Sequence, residues 1–434
     1  MRMTKFAKLV IENWRQFTNI DIDLHPRLTV ITGANGAGKS TLIRIFSQHL
    51  GFQRPLFGVP FLGEHGTLSY FSGIFSRRGK RILERISMHE QASQQSVGKL
   101  QYTNGITADL SVPNLSGSQF NIGINNQQQV LGAHIDSHQP ISNYKSIDSI
   151  PIKPVTPQNA YSQYSSEINH AYTGNRSNFS PMYRLKEALI SLAVFGAGNT
   201  EVDGNPELLL FYEEFQGVLR TILPESLGFK SIRIQPPEVV LRTETGDFVI
   251  DAVSGGILAL IDFAWRIFSF AKMHEEFVVT IDEPENHLHP SLQRDLMPRL
   301  MAAFPTTQFI IATHSPFMVT AVKESFVYAL RYQGFESNDW RATDGTTSTS
   351  NRVESVRLDS IRRAATVNEI LREVLGVPAT MPAWAHDELA EILSEFEGRE
   401  ITESAIAALR ESLETRGFEE LYPEALAKFI GGRS

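Results

Sequence analysis

Gly33-Ala34-Asn35-Gly36-Ala37-Gly38-Lys39-Ser40-Thr41 fits the pattern G-x-x-x-x-G-K-[ST], and the rest of the chain is read outward from it. It follows Leu28-Thr29-Val30-Ile31-Thr32, a short run that predicts a strand. Leu42, Ile43, Ile45 and Phe46 then recur with helical spacing. The glycines let the backbone wrap closely, so that successive N–H groups point at phosphate oxygens. The positive end of the following helix adds to that pull. In this frame Lys39 supplies a cation for β- and γ-phosphates, and Ser40 a hydroxyl for Mg²⁺. Gly33, Asn35, Gly36, Ala37, Gly38, Lys39, Ser40 and Thr41 are therefore the candidate phosphate-binding residues.

Three later signals fall in a meaningful order. Ser254-Gly255-Gly256 opens a predicted helix. Serine is a common N-cap, but two glycines early in a helix cost stability, so an anion site at the helix start explains the triplet better. Val278-Val279-Thr280-Ile281-Asp282-Glu283 reads as a buried strand delivering two acids at its C-terminal end. There Asp282 would hold Mg²⁺ and Glu283 would orient or deprotonate an attacking water. Thr313-His314-Ser315 follows the predicted strand Gln308 to Ala312, which makes His314 a candidate reader of the γ-phosphate.

Phosphate loop, distant S-G-G, D-E, then a strand ending in histidine is the order of ABC-type ATPase heads. The chain resembles the SMC, RecF and OLD branch of that group through Ile11-Glu12-Asn13-Trp14-Arg15 and the Asn35-Gly36 pair. Asp282-Glu283-Pro284-Glu285-Asn286-His287-Leu288-His289-Pro290 looks most like OLD-type ATPases, including standalone subunits of anti-phage systems such as Septu and PARIS. The resemblance implies an α/β fold: an ATPase head with a mixed sheet, an antiparallel β subdomain, a helical lobe and a C-terminal helical module. It also implies that two copies sandwich two ATP molecules with Mg²⁺. Lys39 and Asp282 would come from one copy, Ser254, Gly255 and Gly256 from the other, with Glu283, His314 and Lys39 as the catalytic set. Gln139 is the candidate Mg²⁺-sensing glutamine, although His138-Gln139-Pro140 follows the family pattern loosely, and Val253 stands where leucine usually precedes the S-G-G. The resemblance further implies an ATP-driven switch controlling a separate effector nuclease, with a RecF-like DNA repair factor and an ATP-bound scaffold as the alternatives.

The remaining composition narrows these readings. At ~150 residues per domain, 434 residues leave room for about three units. With no cysteine, disulfides, thiol nucleophiles, zinc-thiolate sites and cysteine-bound clusters are excluded. A net charge of -8 argues against bulk attraction to DNA or anionic lipid. Arg77, Arg78, Lys80 and Arg81 form the one basic cluster that could hold nucleic-acid phosphates, although such a run is more often a solvated face. Gly255 to Ala271 is the most apolar stretch. Asp262 and Arg266 within it predict a buried helix rather than a membrane span, so a cytoplasmic location is expected. His287 and His289 read as packing or dimer-interface groups rather than metal ligands.

The expected division is a first lobe with phosphate loop and antiparallel β subdomain over 1–141, and a polar insertion with helices over 142–228. A second lobe over 229–334 carries the signature, acids and histidine, and a linker with acidic helical module fills 335–434. Residues 91–180 hold only 8 charged side chains and are rich in Ser, Asn and Gln, so 142–180 reads as a long irregular insertion. Residues 351–434 carry 16 acidic and 10 basic side chains, a poor match to a DNA-binding module. Nothing in the chain has the length of the coiled coil that tethers chromosomes, and little follows His314 that could form a nuclease.

Overall fold

The computed structural model describes residues 3–52, 54–62, 68–73, 94–137, 144–150, 155–175, 177–332, 352–359, 367–375, 383–396 and 401–431. They fall into two compact units, 1–376 and 377–434.

The first unit is organised by an eleven-stranded sheet. Its strands run in the order Gly123–Asn125, Thr107–Pro113, Gln94–Tyr102, Phe6–Trp14, Phe17–Asp23, Val353–Arg357, Phe326–Tyr332, Leu28–Gly33, Gln308–Ala312, Val278–Asp282 and Gly132–Ile135. The last five are parallel to one another. Parallel strands are covered on both faces, and Leu28–Gly33 and Gln308–Ala312 are accordingly buried at every position. The first five pair antiparallel and alternate instead, with Phe6, Leu9, Ile11 and Trp14 buried. The expected hairpin turns at Asn104-Gly105, where Gly105 takes a positive φ of 83°.

Alternation along Leu28–Gly33 feeds two cores. Ile31 packs with Leu42, Ile43 and Phe46 of the helix Lys39–His49. Val30 faces the other way, toward helices Pro157–Thr173, Pro181–Ala197, Pro206–Ile222, Gly255–Ala271 and Pro290–Ala303. Gly255–Ala271 is buried from Ala259 through Phe270, as its sequence predicted, and no described helix is long and apolar enough to cross a membrane. A separate three-stranded sheet, Phe229–Gln235, Glu238–Thr243 and Asp247–Val249, leads into it.

Two expectations require correction. Residues 142–180 are not wholly irregular, because Pro157–Thr173 is a helix capped by Thr156 and buried through Ala160, Tyr164 and Ile168. That four-residue spacing was the helical signal beneath a Ser/Asn/Gln-rich composition. Nor is 335–434 only linker and helices: Val353–Arg357 pairs antiparallel with Phe326–Tyr332 and closes the gap to Phe17–Asp23. In the second unit, helices Ala383–Glu395, Glu403–Thr415 and Tyr422–Gly431 gather around Leu389, Ile392, Leu409, Leu413 and Ala425.

Candidate functional site

Register places the site. Ile31, Ala312 and Asp282 stand level on three adjacent parallel strands, so the loops that follow them leave the sheet at one edge. Those loops carry the glycine motif, Thr313-His314-Ser315 and Glu283 respectively.

The glycine loop is shaped by backbone that only glycine adopts without strain. Gly33, Gly36 and Gly38 have φ of 142°, 78° and 102°. A Cβ on Gly38 would lie 2.5 Å from Cζ of Phe17, and one on Gly33 would lie 2.5 Å from the Leu330 carbonyl oxygen. Ala37 is buried and anchors the loop, whereas Asn35 and Gly36 are exposed. Lys39 curls back: its Nζ donates to the carbonyl oxygens of Gly33 at 2.9 Å and Ala34 at 3.0 Å. Burial pulls its ammonium down to about 8, against the opposing pull of the Glu283, Asp282 and Glu285 carboxylates. Thr41 continues the helix, partly buried.

The Ser40 hydroxyl donates to Asp282 Oδ1 at 3.2 Å. Burial, and then the neighbouring Glu283, raise the Asp282 pKa, while the Ser40 bond opposes them. A hydroxyl and a carboxylate in contact are the oxygen donors that a hard divalent cation such as Mg²⁺ takes, so Ser40 and Asp282 fit that ion.

Glu283 stands at a φ of 50°, unusual for a side chain with a Cβ. Its N–H bonds the Ala312 carbonyl at 2.8 Å, which pins it to the neighbouring strand. His314 Nε2 approaches Glu283 Oε1 at 3.7 Å. Burial first, then Lys39, lower the His314 pKa, with Glu283 opposing. Glu285 holds the histidine loop in place: its Oε1 accepts from the backbone N–H of His314 at 2.5 Å and of Ser315 at 3.1 Å. Burial pushes the Glu285 carboxyl up.

Ser254 caps its own helix, accepting from the Ile257 N–H at 3.4 Å. A Cβ on Gly256 would meet the His287 carbonyl oxygen at 3.1 Å, whereas a Cβ on Gly255 would touch nothing outside its own helix among the described residues. His289 caps the helix Pro290–Ala303, accepting from Ser291 N–H. Gln139 lies outside the described residues, as do Arg77, Arg78, Lys80 and Arg81.

Sequence reasoning missed a polar chain beside Asp282. His134 Nδ1 meets Thr280 Oγ1 at 2.9 Å and its Nε2 meets Asp136 at 3.2 Å, while Arg54 donates to Asp136 at 2.9 Å. Burial would raise the Asp136 pKa, but His134 and Arg54 together hold it well below the usual carboxylate range. Asp136 directly follows a strand, as Asp282 ends one, and that parallel was the available signal. Arg54 offered none.

The glycine loop, the acid pair and the histidine thus leave adjacent parallel strands at one sheet edge, an arrangement suited to a nucleotide's phosphates and a divalent cation. The family described as "AAA domain, putative AbiEii toxin, Type IV TA system" matches residues 118–320, and a second described as "AAA domain" matches 8–154. The chain is 32% identical over 115 residues to "Retron Ec83 probable ATPase" of Escherichia coli, covering 24% of this chain and 21% of that protein. It is 27% identical over 120 residues to "Septu protein PtuA" of Bacillus thuringiensis, covering 25% and 30%. The matched stretches thus span less than a third of either curated relative. Among solved structures it is similar to "SMC head domain from Thermotoga maritima", with a TM-score of 0.37 and 13% identity over 82% of this chain and 99% of that one.

Proposed function

We propose that this chain binds and hydrolyses ATP as a paired head, and that the ATP-bound pair switches a separate effector nuclease in anti-phage defence. The observation that carries the ATPase reading is the convergence of Lys39, Ser40, Asp282, Glu283 and His314 on one sheet edge. The defence context rests on the retron and Septu relatives.

In this reading the loop amides take the phosphate oxygens, and Lys39 exchanges the Gly33 and Ala34 carbonyls for the β- and γ-phosphates. Ser40 and Asp282 hold Mg²⁺, which when bound neutralises phosphate charge. Glu283, turned out of the strand by its left-handed backbone, orients the attacking water and accepts its proton. His314 donates toward the γ-phosphate beside it. Ser254, Gly255 and Gly256 serve a second copy. The open space around Gly255 supports this, because a residue that weakens its helix and packs on nothing among the described residues leaves room for close approach from outside.

The test is Glu283→Gln, mixed with ATP or with ADP and sized by light scattering. The expected result is slow turnover and a dimer with ATP alone. A variant that binds ATP yet stays monomeric refutes the paired head. Affinity capture of that ATP-locked variant from its native cells, with nuclease-treated controls, tests the switch. A nuclease held without DNA supports it, whereas repair proteins lost on nuclease treatment point to the RecF-like reading.

A further inference from the structure

We propose that Asn286 is a positioning residue for hydrolysis: a clamp that fixes the Glu283 carboxylate and ties it to the loop after the strand Gly132–Ile135. One amide nitrogen makes both bonds. Asn286 Nδ2 donates to Glu283 Oε2 at 3.1 Å and to the Ser137 carbonyl oxygen at 2.9 Å. A side-chain amide has two N–H donors, and both are spent here. The geometry is local and closed, since the Asn286 backbone N–H also bonds the Glu283 carbonyl at 3.2 Å. The turn from 283 to 286 therefore presents side chain and main chain to the same residue.

The consequences follow from where the two acceptors sit. Glu283 ends up held at one oxygen by Asn286 and flanked at the other by His314 Nε2 at 3.7 Å, so the plane of its carboxylate is set from both sides. Ser137 belongs to the loop leaving the neighbouring strand, paired in register through Ile135 and Ile281. A single donor group thus makes the aim of Glu283 depend on the position of that loop. The residue type is demanded by the chemistry. Aspartate has nearly the same shape but brings a second acceptor against a carbonyl oxygen and a carboxylate, and alanine brings nothing. This inference rests on Glu283 acting on the attacking water.

Steady-state ATP hydrolysis by the full chain tests it, comparing Asn286→Ala, Asn286→Asp, Glu283→Gln and the Asn286→Ala, Glu283→Gln double variant. Loss of the clamp is expected to lower kcat about tenfold to a hundredfold with KM for ATP within about twofold, the scale of a misplaced catalytic group. Asn286→Asp should lose more kcat than Asn286→Ala, an order that a merely space-filling role reverses. In the Glu283→Gln background, Asn286→Ala should remove nothing further, because the group it aims is already gone. Three outcomes overturn the proposal: kcat within twofold of the parent in both variants, Asn286→Asp more active than Asn286→Ala, or an undiminished loss in the double variant. If Asn286→Asp fails to fold, the cycle with Asn286→Ala decides alone. Wild-type turnover in Glu283→Gln would instead refute the role of Glu283 itself.

Discussion

Raising the pH should loosen nucleotide binding through Lys39. Burial holds its free ammonium at about 8, and only the charged form pairs with phosphate. At pH 7 about nine-tenths of the chains then carry the charge, and at pH 9 about a tenth. Affinity for a non-hydrolysable ATP analogue should therefore fall about tenfold, about 1.4 kcal/mol, between those pH values. The sign is set by the bound state, in which phosphates raise the Lys39 pKa, so binding takes up a proton, about half of one at pH 8. Folding responds in the opposite direction. Between about 8 and the ordinary 10.5 the unfolded chain binds the proton that the folded chain has shed, so the penalty from this group shrinks as pH rises. Weaker binding at pH 9 is thus separable from unfolding. Calorimetric titration in two buffers of different ionisation heat measures both affinity and proton uptake. Lys39→Arg should bind more weakly at pH 7 but without the slope, because its charge persists. A wild-type affinity constant within twofold from pH 7 to pH 9, with no buffer-dependent heat, refutes the reasoning.

Three further outcomes follow from the geometry. Gly38→Ala forces a Cβ into a φ of 102° and to 2.5 Å from Phe17 Cζ, and should cost about 3 kcal/mol in denaturant unfolding; an unchanged midpoint would contradict the assigned strain. Gly255→Trp should not lower the monomer's melting temperature, since among the described residues nothing outside its helix crowds that position, yet should abolish the ATP-dependent dimer of Glu283→Gln; a dimer that still forms removes Gly255 from the interface. Asp251→Ala strips the carboxylate from Lys186, whose buried Nζ donates to Asp251 Oδ2 and to the Lys145 carbonyl oxygen, each at 2.8 Å, and should cost about 3 kcal/mol. Adding Lys186→Met should recover much of that loss, and failure to do so would show that the uncompensated charge is not its cause.

What the sequence made legible was local. The glycine loop, its flanking strand and helix, and the acids Asp282 and Glu283 at the end of the strand Val278–Asp282 are contiguous runs, so the meeting of Lys39, Ser40 and Asp282 at one sheet edge could be read directly. What was hidden depends on strand order. No spacing in the chain announces that Val353–Arg357 inserts between Phe17–Asp23 and Phe326–Tyr332, because a five-residue strand far from its partners has no periodic signature. Arg54, Asp136 and His134 likewise meet only because Gly132–Ile135 joins the sheet edge beside Val278–Asp282. Glu285 and Asn286 stood in the quoted motif without roles, since nothing in their spacing shows that one reaches the His314 backbone and the other Ser137.

The antiparallel half of the sheet contributes to the site mechanically. The turn joining Phe6–Trp14 to Phe17–Asp23 holds Asn13 and Arg15 at φ of 49° and 51°, a tight reversal that sets Gln16 and Phe17 against Gly38. Arg15 is stacked between Trp14 at 5.3 Å and Phe120 at 5.4 Å and donates to the Phe57 carbonyl oxygen. Trp14 in turn donates from its indole nitrogen to the Ser72 carbonyl at 2.9 Å. The wall behind the glycine loop is therefore braced through Phe57, Ser72 and Phe120, which lie outside the loop itself. This gives a physical meaning to Ile11-Glu12-Asn13-Trp14-Arg15, which in the sequence was only a point of resemblance: they end the strand Phe6–Trp14 and start the reversal that sets Gln16 and Phe17 where a Cβ on residue 38 would lie.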